Sequence, residues 1–395
     1  MKRILFYSEN FCGEHIKGGL EVATFRIAQA LKMSGQWEVY NAFRSKSDGS
    51  DKSIYTDVIK LSTSDSLFQR SLKDFIIANE IDVVVNMSRF FRHEVIRKAV
   101  MDSGREVKII FMQHFAPGSE FKKGTFSAGY HLLRLNPFNP LYLLRATIYP
   151  LLKYSRNRRL AGVYGSTYEN SDKVVLLSQG YREDYCQIGG FKDEANKITA
   201  IPNIFDAPKK DGILDGKKKR VLMLSRMDEI QKRMSVALEV WKKIEEKGTF
   251  NDWQLDIVGS GHNTDIVKRL IKKLGLRQVK YHGWKDPKPF LEQSSILMTT
   301  SEYEGLPLAI LEAQAYGCVP VAFDSYASLR DVVSHNETGI IVEKFGDTDT
   351  YSNELARLME NEEWRRSLAI KGIEGADRFS SQKIGARWLK MLDEL

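Results

Sequence analysis

The chain has 395 residues, 43% hydrophobic and 28% charged, a balance ordinary for a globular protein and one that excludes an extended disordered chain. That length exceeds what one core usually supports, so two domains of about 200 residues each are expected. The net charge of +8 has an address: residues 121–160 hold eight Lys or Arg and no Asp or Glu, so the remainder is balanced.

The opening MKRILFYSEN offers four apolar positions after its basic pair, too few for a signal peptide, and no apolar run reaches the length of a membrane span. A cytoplasmic protein is expected. RILFYS reads as a strand, and Gly18 and Gly19 end the loop before the helix GLEVATFRIAQALKMSG. Such a glycine pair lets backbone amides at a helix N-terminus approach a phosphate or a sugar hydroxyl, although an ordinary flexible loop has the same composition. Then follow IDVVVNM as strand, HEVIRKAVMDSG as helix and VKIIFMQH as strand. His114 closes that strand at its C-terminal mouth, where an imidazole can bond a substrate hydroxyl or be satisfied by loop backbone.

The basic segment comes next: Lys122, Lys123, Arg134, Arg145, Lys153, Arg156, Arg158 and Arg159, interleaved with Phe121, Phe126, Tyr130, Phe138, Tyr142, Tyr149 and Tyr154. Cations among Tyr, Phe and Leu suit an anionic membrane surface, each being worth about 1 kcal/mol near the lipid. Nucleic acid is the competing partner, and a solvated helical face over an ordinary core is the plain alternative. KVVLLSQ and ITAIPN complete the first strand series, and the seam falls near IPNIFDAPKKDGILDGKKKR, rich in Pro, Gly, Asp and Lys.

The second half repeats the theme: strands KRVLMLSRM, WQLDIVGSG, VKYHGW, SILMTT, VPVAFDS and TGIIVEK alternate with helices, and the helix SSQKIGARWLKMLDEL ends the chain. Two series of apolar strands alternating with helices predict two doubly wound parallel sheets. In open parallel sheets ligands bind beyond the carboxyl ends of the strands, so residues there are the candidates. Arg226 ends a strand and Lys232 precedes the next helix, two cations able to clamp a diphosphate; Arg233 is an alternate or a solvated surface charge.

SEYEGLPLAILEAQAYG, residues 301–317, places Glu304 and Glu312 on either side of seven mostly apolar residues. The expected order is strand, loop, helix, with Pro307 at the first helical position, Gly305 bending the loop, Glu312 in the second turn and Gly317 closing the helix. Both carboxylates can then face one crevice. GSGHNT, from Gly259, lacks the third glycine of a dinucleotide fingerprint and reads as a tight turn. DTDT, from Asp347, supplies a helix N-cap more simply than a metal site. Cys12, Cys186 and Cys318 are widely separated, without C-x-x-C or zinc spacing, which suits a reducing compartment.

Together, SEYEGLPLAILEAQAYG, the Arg226 and Lys232 pair, the KGGLE loop and ITAIPNIFD resemble the retaining, GT-B-fold glycosyltransferases of family 4 (glycosyltransferase group 1) over essentially the whole chain. The resemblance implies an α/β fold of two Rossmann-like domains facing across a cleft: residues 1–205 for the acceptor, 206–375 for the nucleotide sugar, and a C-terminal helix, 376–395, returning to the first domain. It implies that Glu312 accepts bonds from ribose hydroxyls and that Glu304 lies by the donor sugar. Gly305, Leu306 and Pro307 would offer backbone to sugar and phosphates. Arg226 and Lys232 would neutralise the leaving diphosphate, His114 would lie near the donor sugar, Gly18 and Gly19 beneath the diphosphate and acceptor, and Trp284 by the base. The segment AFDSYASLRDVV departs from the family in lacking a glycine-rich turn.

The expected reaction is transfer of a hexosyl or N-acetylhexosaminyl group from a nucleoside diphosphate sugar, UDP by family habit, to a hydroxyl of a glycan or lipid-linked glycan in cell-surface polysaccharide assembly. Configuration is retained, with neither metal nor further cofactor. The expected partners are the nucleotide sugar, the acceptor and an anionic membrane surface through residues 121–160 at the inner face of the membrane, not nucleic acid. A sugar-nucleotide epimerase of similar shape, or a non-catalytic sugar-nucleotide binding protein, are the alternatives.

Overall fold

The structure, a computed structural model, describes residues 1–13, 18–45, 54–122, 126–135, 137–138, 140–208 and 212–395, and describes side chains at all of these except 91, 121–122, 126–129, 142, 145–154 and 156. The chain forms two compact units. Met1–Pro117, Ser155–Ile204 and Phe379–Leu395 make the first, and Gly118–Tyr154 with Phe205–Arg378 makes the second.

The first unit holds a parallel sheet of β1 (Lys2–Ser8), β2 (Trp37–Phe43), β3 (Asp57–Lys60), β4 (Val83–Asn86), β5 (Lys108–Gln113), β6 (Lys173–Leu176) and β7 (Ile198–Ala200), in the order β3-β2-β1-β4-β5-β6-β7. Strands such as β4, VVVN, are buried along their whole length because helices cover both faces of the sheet. β2 and β3, and the helix Asp65–Ala78, lie outside the sequence-predicted series. β2, WEVYNAF, takes a polar residue into the core: Asn41 is fully buried, and its Nδ2 donates to the Phe6 carbonyl of β1 at 3.0 Å. Phe68 and Leu72 of the helix Asp65–Ala78 pack with Tyr7, Tyr40 and Val84 against this sheet. The final helix, Ser381–Asp393, lies on the helix Gly19–Met33. A Cβ at Gly385 would come within 3.2 Å of the Ala30 Cβ, and Arg387 donates to the Ala200 carbonyl.

The second unit holds β8 (Lys218–Leu224), β9 (Gln254–Val258), β10 (Val279–Gly283), β11 (Ser294–Thr299), β12 (Val319–Phe323) and β13 (Ile340–Val342), all parallel, in the order β10-β9-β8-β11-β12-β13. Trp241, Leu355 and Tyr351 fill the layer between this sheet and its helices. Each sheet therefore reverses direction once, at β1/β4 and at β8/β11. At such a switch point the loops leaving the two central strands diverge and open a crevice.

The basic segment folds into helices Ser119–Lys122 and Phe126–Leu135 and the long helix Pro140–Glu169. Lys123 lies outside the described residues, and the side chains of Lys122, Arg145, Lys153 and Arg156 and of all its aromatics but Tyr130 and Phe138 are likewise outside them. Of the rest, Tyr130, Phe138, Leu141, Leu143 and Leu144 are exposed, Phe138 to 94%. Among the described residues no helix is long and apolar enough to cross a membrane.

Candidate functional site

Both loops at the β8/β11 switch point carry the residues singled out from the sequence. After β8 the chain runs through Arg226 into the four-residue helix Glu229–Lys232. Asp228 caps that helix, its carboxylate accepting from the Ile230 and Gln231 amides at 3.2 and 3.3 Å. Arg233 follows in the left-handed region at φ +48°, and the helix Met234–Glu246 begins immediately. A non-glycine residue in this region costs on the order of 1–3 kcal/mol. Here it aims the guanidinium at Glu302, to which Nε donates at 2.7 Å with Nη2 as a second contact. Arg233 is only 7% exposed, so its reading as a solvated surface charge is corrected: it is one half of an ion pair that fastens the two loops.

The second loop, after β11, is stitched to the first along its length. Thr300 Oγ1 donates to the carbonyls of Lys232 and Arg233 at 2.9 and 3.0 Å, and the Glu302 amide donates to the Gln231 carbonyl at 2.7 Å. Lys232 Nζ pairs with Glu304 Oε1, with 17% and 12% of the two side chains exposed. Gln231 Nε2 donates to Glu304 Oε2 at 3.1 Å and to the Tyr303 carbonyl at 3.2 Å, while Arg226 Nη2 donates to Gln231 Oε1 at 3.0 Å. Arg226 also lies 3.5 Å from the Asp228 carboxylate and keeps 57% of its side chain exposed. Burial first, then the Asp228 and Glu302 charges, pushes the Tyr303 hydroxyl well above its ordinary range, so it stays protonated.

The structure therefore brings Arg226, Lys232 and Glu304 together. Gly305, Leu306 and Pro307 follow in the same loop, with Leu306 buried. The helix starts at Leu308, one residue later than expected, so Pro307 is its N-cap, and its carbonyl accepts from the Ile310 amide at 2.9 Å. Glu312 lies in the second turn of that helix and is half-buried. Gly317 closes it at φ +70°, where the Cys318 amide donates to the Ala313 carbonyl at 2.8 Å. Trp284 follows β10, the edge strand, and is 61% exposed. The segment without a glycine-rich turn is held otherwise: Arg330 Nη2 pairs with Asp324 at 2.6 Å, and Ser325 Oγ donates to the Ser301 carbonyl at 2.6 Å.

GSGHNT is a turn, and a tight one: a Cβ at Gly261 would lie 2.6 Å from the Met227 carbonyl oxygen. It supports the Arg226 loop from beneath. Asp347 caps the helix Thr348–Glu360, accepting from the Thr350 amide at 3.0 Å, while Asp349 pairs with Lys243.

In the first unit, Gly18 is the N-cap of the helix Gly19–Met33 in extended backbone. The Glu21 carboxylate folds back over it, held by Asn10 Nδ2 at 2.7 Å, so a Cβ at Gly18 would meet it at 1.9 Å; at Gly19 a Cβ would meet nothing within 4 Å. His114 follows β5 directly. Its Nε2 is buried without a hydrogen-bond partner among the described residues, and loss of water pulls its pKa down to about 4, leaving a neutral imidazole at physiological pH.

Gln231 and Glu302 did not stand out in the sequence as parts of this cluster, and neither did Glu229. Its carboxylate is fully buried and accepts from Ser235 Oγ at 2.5 Å, with His131 Nε2 at 2.8 Å. Those contacts span up to 98 residues of chain, so no local spacing could announce them.

Residues 205–374 match the family model described as glycosyl transferases group 1. An uncharacterized glycosyltransferase of Haemophilus influenzae is 28% identical over 223 residues, 56% of this chain and 61% of its own. The amylovoran biosynthesis glycosyltransferase AmsD of Erwinia amylovora is 24% identical over 230 residues, 57% of this chain and 63% of its own. The chain thus spans less than two thirds of the length of these curated relatives. Among solved structures, Anabaena HepE in complex with UDP and glucose superposes with a TM-score of 0.72 at 16% identity over 100% of both chains, a likeness that establishes the shared GT-B fold.

Proposed function

We propose that this protein is a retaining glycosyltransferase. It moves a hexosyl or N-acetylhexosaminyl group from a nucleoside diphosphate sugar, UDP-linked, to a hydroxyl of a glycan or lipid-linked glycan acceptor in cell-surface polysaccharide assembly. The observation that carries this reading is the cluster at the β8/β11 switch point, where Arg226, Lys232 and Glu304 converge through Gln231. The matched family over residues 205–374, the relatives' named activities and the UDP in the HepE complex support it.

In this reading Glu312 accepts the ribose hydroxyls, because a carboxylate takes two such bonds well. Arg226 and Lys232 neutralise the diphosphate, whose charge grows as the bond from the sugar's anomeric carbon to the phosphate oxygen breaks. The acceptor oxygen bonds to that carbon on the same face, and the departing phosphate takes the acceptor's proton, so configuration is retained without a covalent enzyme intermediate or a metal. The neutral His114 imidazole and the Gly18 and Gly19 backbone serve the donor sugar and the acceptor. Trp284 passes by the base. The basic, apolar segment 121–160 holds the enzyme on an anionic membrane surface where a lipid-linked acceptor is presented.

The test is a panel of UDP- and GDP-sugars, read by thermal shift and by donor hydrolysis, for the wild type, Glu312→Ala and Lys232→Ala. Selective stabilisation by one UDP-sugar, lost in Glu312→Ala, is expected. Lys232→Ala should melt like the wild type yet lose about 10²-fold or more in turnover. No stabilisation by any sugar nucleotide, or near-normal turnover in Lys232→Ala, would overturn the reading.

A further inference from the structure

Gln231 occupies a place that only an amide side chain can fill. Its oxygen accepts from the Arg226 guanidinium at 3.0 Å, and its nitrogen donates to Glu304 Oε2 at 3.1 Å and to the Tyr303 carbonyl at 3.2 Å. A carboxylate there would keep the first bond and set a like charge against Glu304; an alkyl chain would make none. The residue's backbone carbonyl is fixed as well, accepting from the Glu302 amide at 2.7 Å.

Lys232, the next residue, holds the other Glu304 oxygen. A diphosphate that needs this ammonium must therefore take it from Glu304, and the carboxylate then loses its cation. Left unrestrained, a partly buried carboxylate would turn toward Arg226 or toward water. Gln231 still grips its Oε2 at that moment and grips Arg226 from the other end. We propose that Gln231 is a positioning residue that keeps Glu304 and Arg226 in register while Lys232 exchanges Glu304 for the donor's diphosphate. This rests on the donor-site reading given above.

Two consequences separate this role from mere support of the fold. Because Glu304 competes with the diphosphate for Lys232, Glu304→Gln should bind a nucleoside diphosphate more tightly than the wild type, by roughly 3- to 10-fold. Because Gln231 acts through Glu304 and Arg226, Gln231→Ala should leave that binding within about threefold and lower the kcat of donor hydrolysis by roughly 10- to 100-fold, the scale of a misplacement of about 1 Å. In the Glu304→Gln background the same change should cost less than about threefold, since its route is already broken.

The experiment is calorimetric titration of UDP and of GDP into the full chain, with kcat and KM for donor hydrolysis and a melting curve, for the wild type, Gln231→Ala, Gln231→Glu, Glu304→Gln and the Gln231→Ala/Glu304→Gln double variant. Gln231→Glu keeps the side chain's length and its acceptor for Arg226, so it carries the test if Gln231→Ala melts early, and it too should lose kcat. Weaker UDP binding in Glu304→Gln, wild-type kcat in either Gln231 variant, or losses that multiply in the double variant would overturn the proposal and leave the donor-site reading standing. Failure of the wild type to bind UDP or GDP would overturn the donor-site reading, and the proposal with it.

Discussion

Two histidines of the first unit are held neutral by burial, and His93 also has polar neighbours on both ring nitrogens. His93 is 2% exposed; its Nε2 lies 3.2 Å from the Asn170 carbonyl and 2.9 Å from Ser171 Oγ, and its Nδ1 lies 3.3 Å from Asn86 Nδ2. A second proton would set Nδ1–H against the Asn86 amide. Loss of water is the larger cause, and the pKa falls from 6.5 to about 4, as it does for His114. Because the folded-state value lies below the unfolded one, the stability tied to each neutral ring is fully present above about pH 6.5 and is lost as pH falls toward about 4. Within that window the unfolding free energy should decline with a slope approaching about 1.4 kcal/mol per pH unit for each histidine. Urea midpoints measured across the window should show it, with a shallower slope in His93→Asn; equal slopes in the two proteins would refute the assignment. The same burial keeps the His114 imidazole neutral, as its proposed bond to a sugar hydroxyl requires. At this scale contiguous spacing put Arg226 and Lys232 on one loop, and put Glu304 just ahead of the helix that carries Glu312. It was silent on Gln231, whose contact with Glu304 spans 73 residues, because a glutamine between a helix cap and a lysine is unremarkable until the second loop arrives beside it.

At the scale of elements, glycines separate positions where backbone must touch backbone from positions where it need not. A Cβ at Gly261 would lie 2.6, 2.9 and 3.0 Å from the O, N and C atoms of Met227, none of which can rotate away. Gly375, near the end of the helix Glu362–Ala376, would bring its Cβ no closer than 3.9 Å to Thr338 Cγ2. Gly261→Ala should therefore destabilise the second unit by about 1–3 kcal/mol and displace the Arg226 loop. Gly375→Ala should stabilise it by roughly 0.5–1 kcal/mol through helix propensity. Paired thermal and denaturant melts decide both, and a Gly261→Ala protein as stable as the wild type would mean the turn does not press on the Arg226 loop. The same contrast explains which elements could be read in advance. VPVAFDS and SILMTT are apolar runs of strand length, buried on both sides. WEVYNAF hides its strand behind Glu38 and Asn41, and Asn41 is legible as a core residue only once the Phe6 carbonyl stands 3.0 Å away. Helix starts were readable to within a residue, as Pro307 shows, because cap chemistry is local.

At the scale of the molecule, charge and apolar surface converge on a segment that belongs to the second unit by packing and interrupts the first in sequence. Gly118–Tyr154 groups with Phe205–Arg378. Its helix Phe126–Leu135 meets the helix Glu229–Lys232 through the His131–Glu229 pair at 2.8 Å and through Leu132 against Ile230, which are 2% and 6% exposed. The short helix that offers Gln231 and Lys232 to the site is thus braced by the segment proposed to rest on the membrane. Just beyond the brace, Phe138 is 94% and Leu141 64% exposed, with Arg134 also exposed nearby. An apolar tip among cations gains from lipid twice, through buried area at about 25 cal/mol per Å² and through attraction to anionic headgroups at about 1 kcal/mol per cation. Only the second contribution is screened when the Debye length drops below about 8 Å. The protein should therefore sediment with anionic vesicles and not with neutral ones, and should release as salt rises. The double change Phe138→Ser/Leu141→Ser should weaken binding at every salt concentration while leaving the melting curve unchanged. Equal binding to neutral and anionic vesicles would remove the electrostatic half of the argument, and undiminished binding of the serine variant would remove the apolar half.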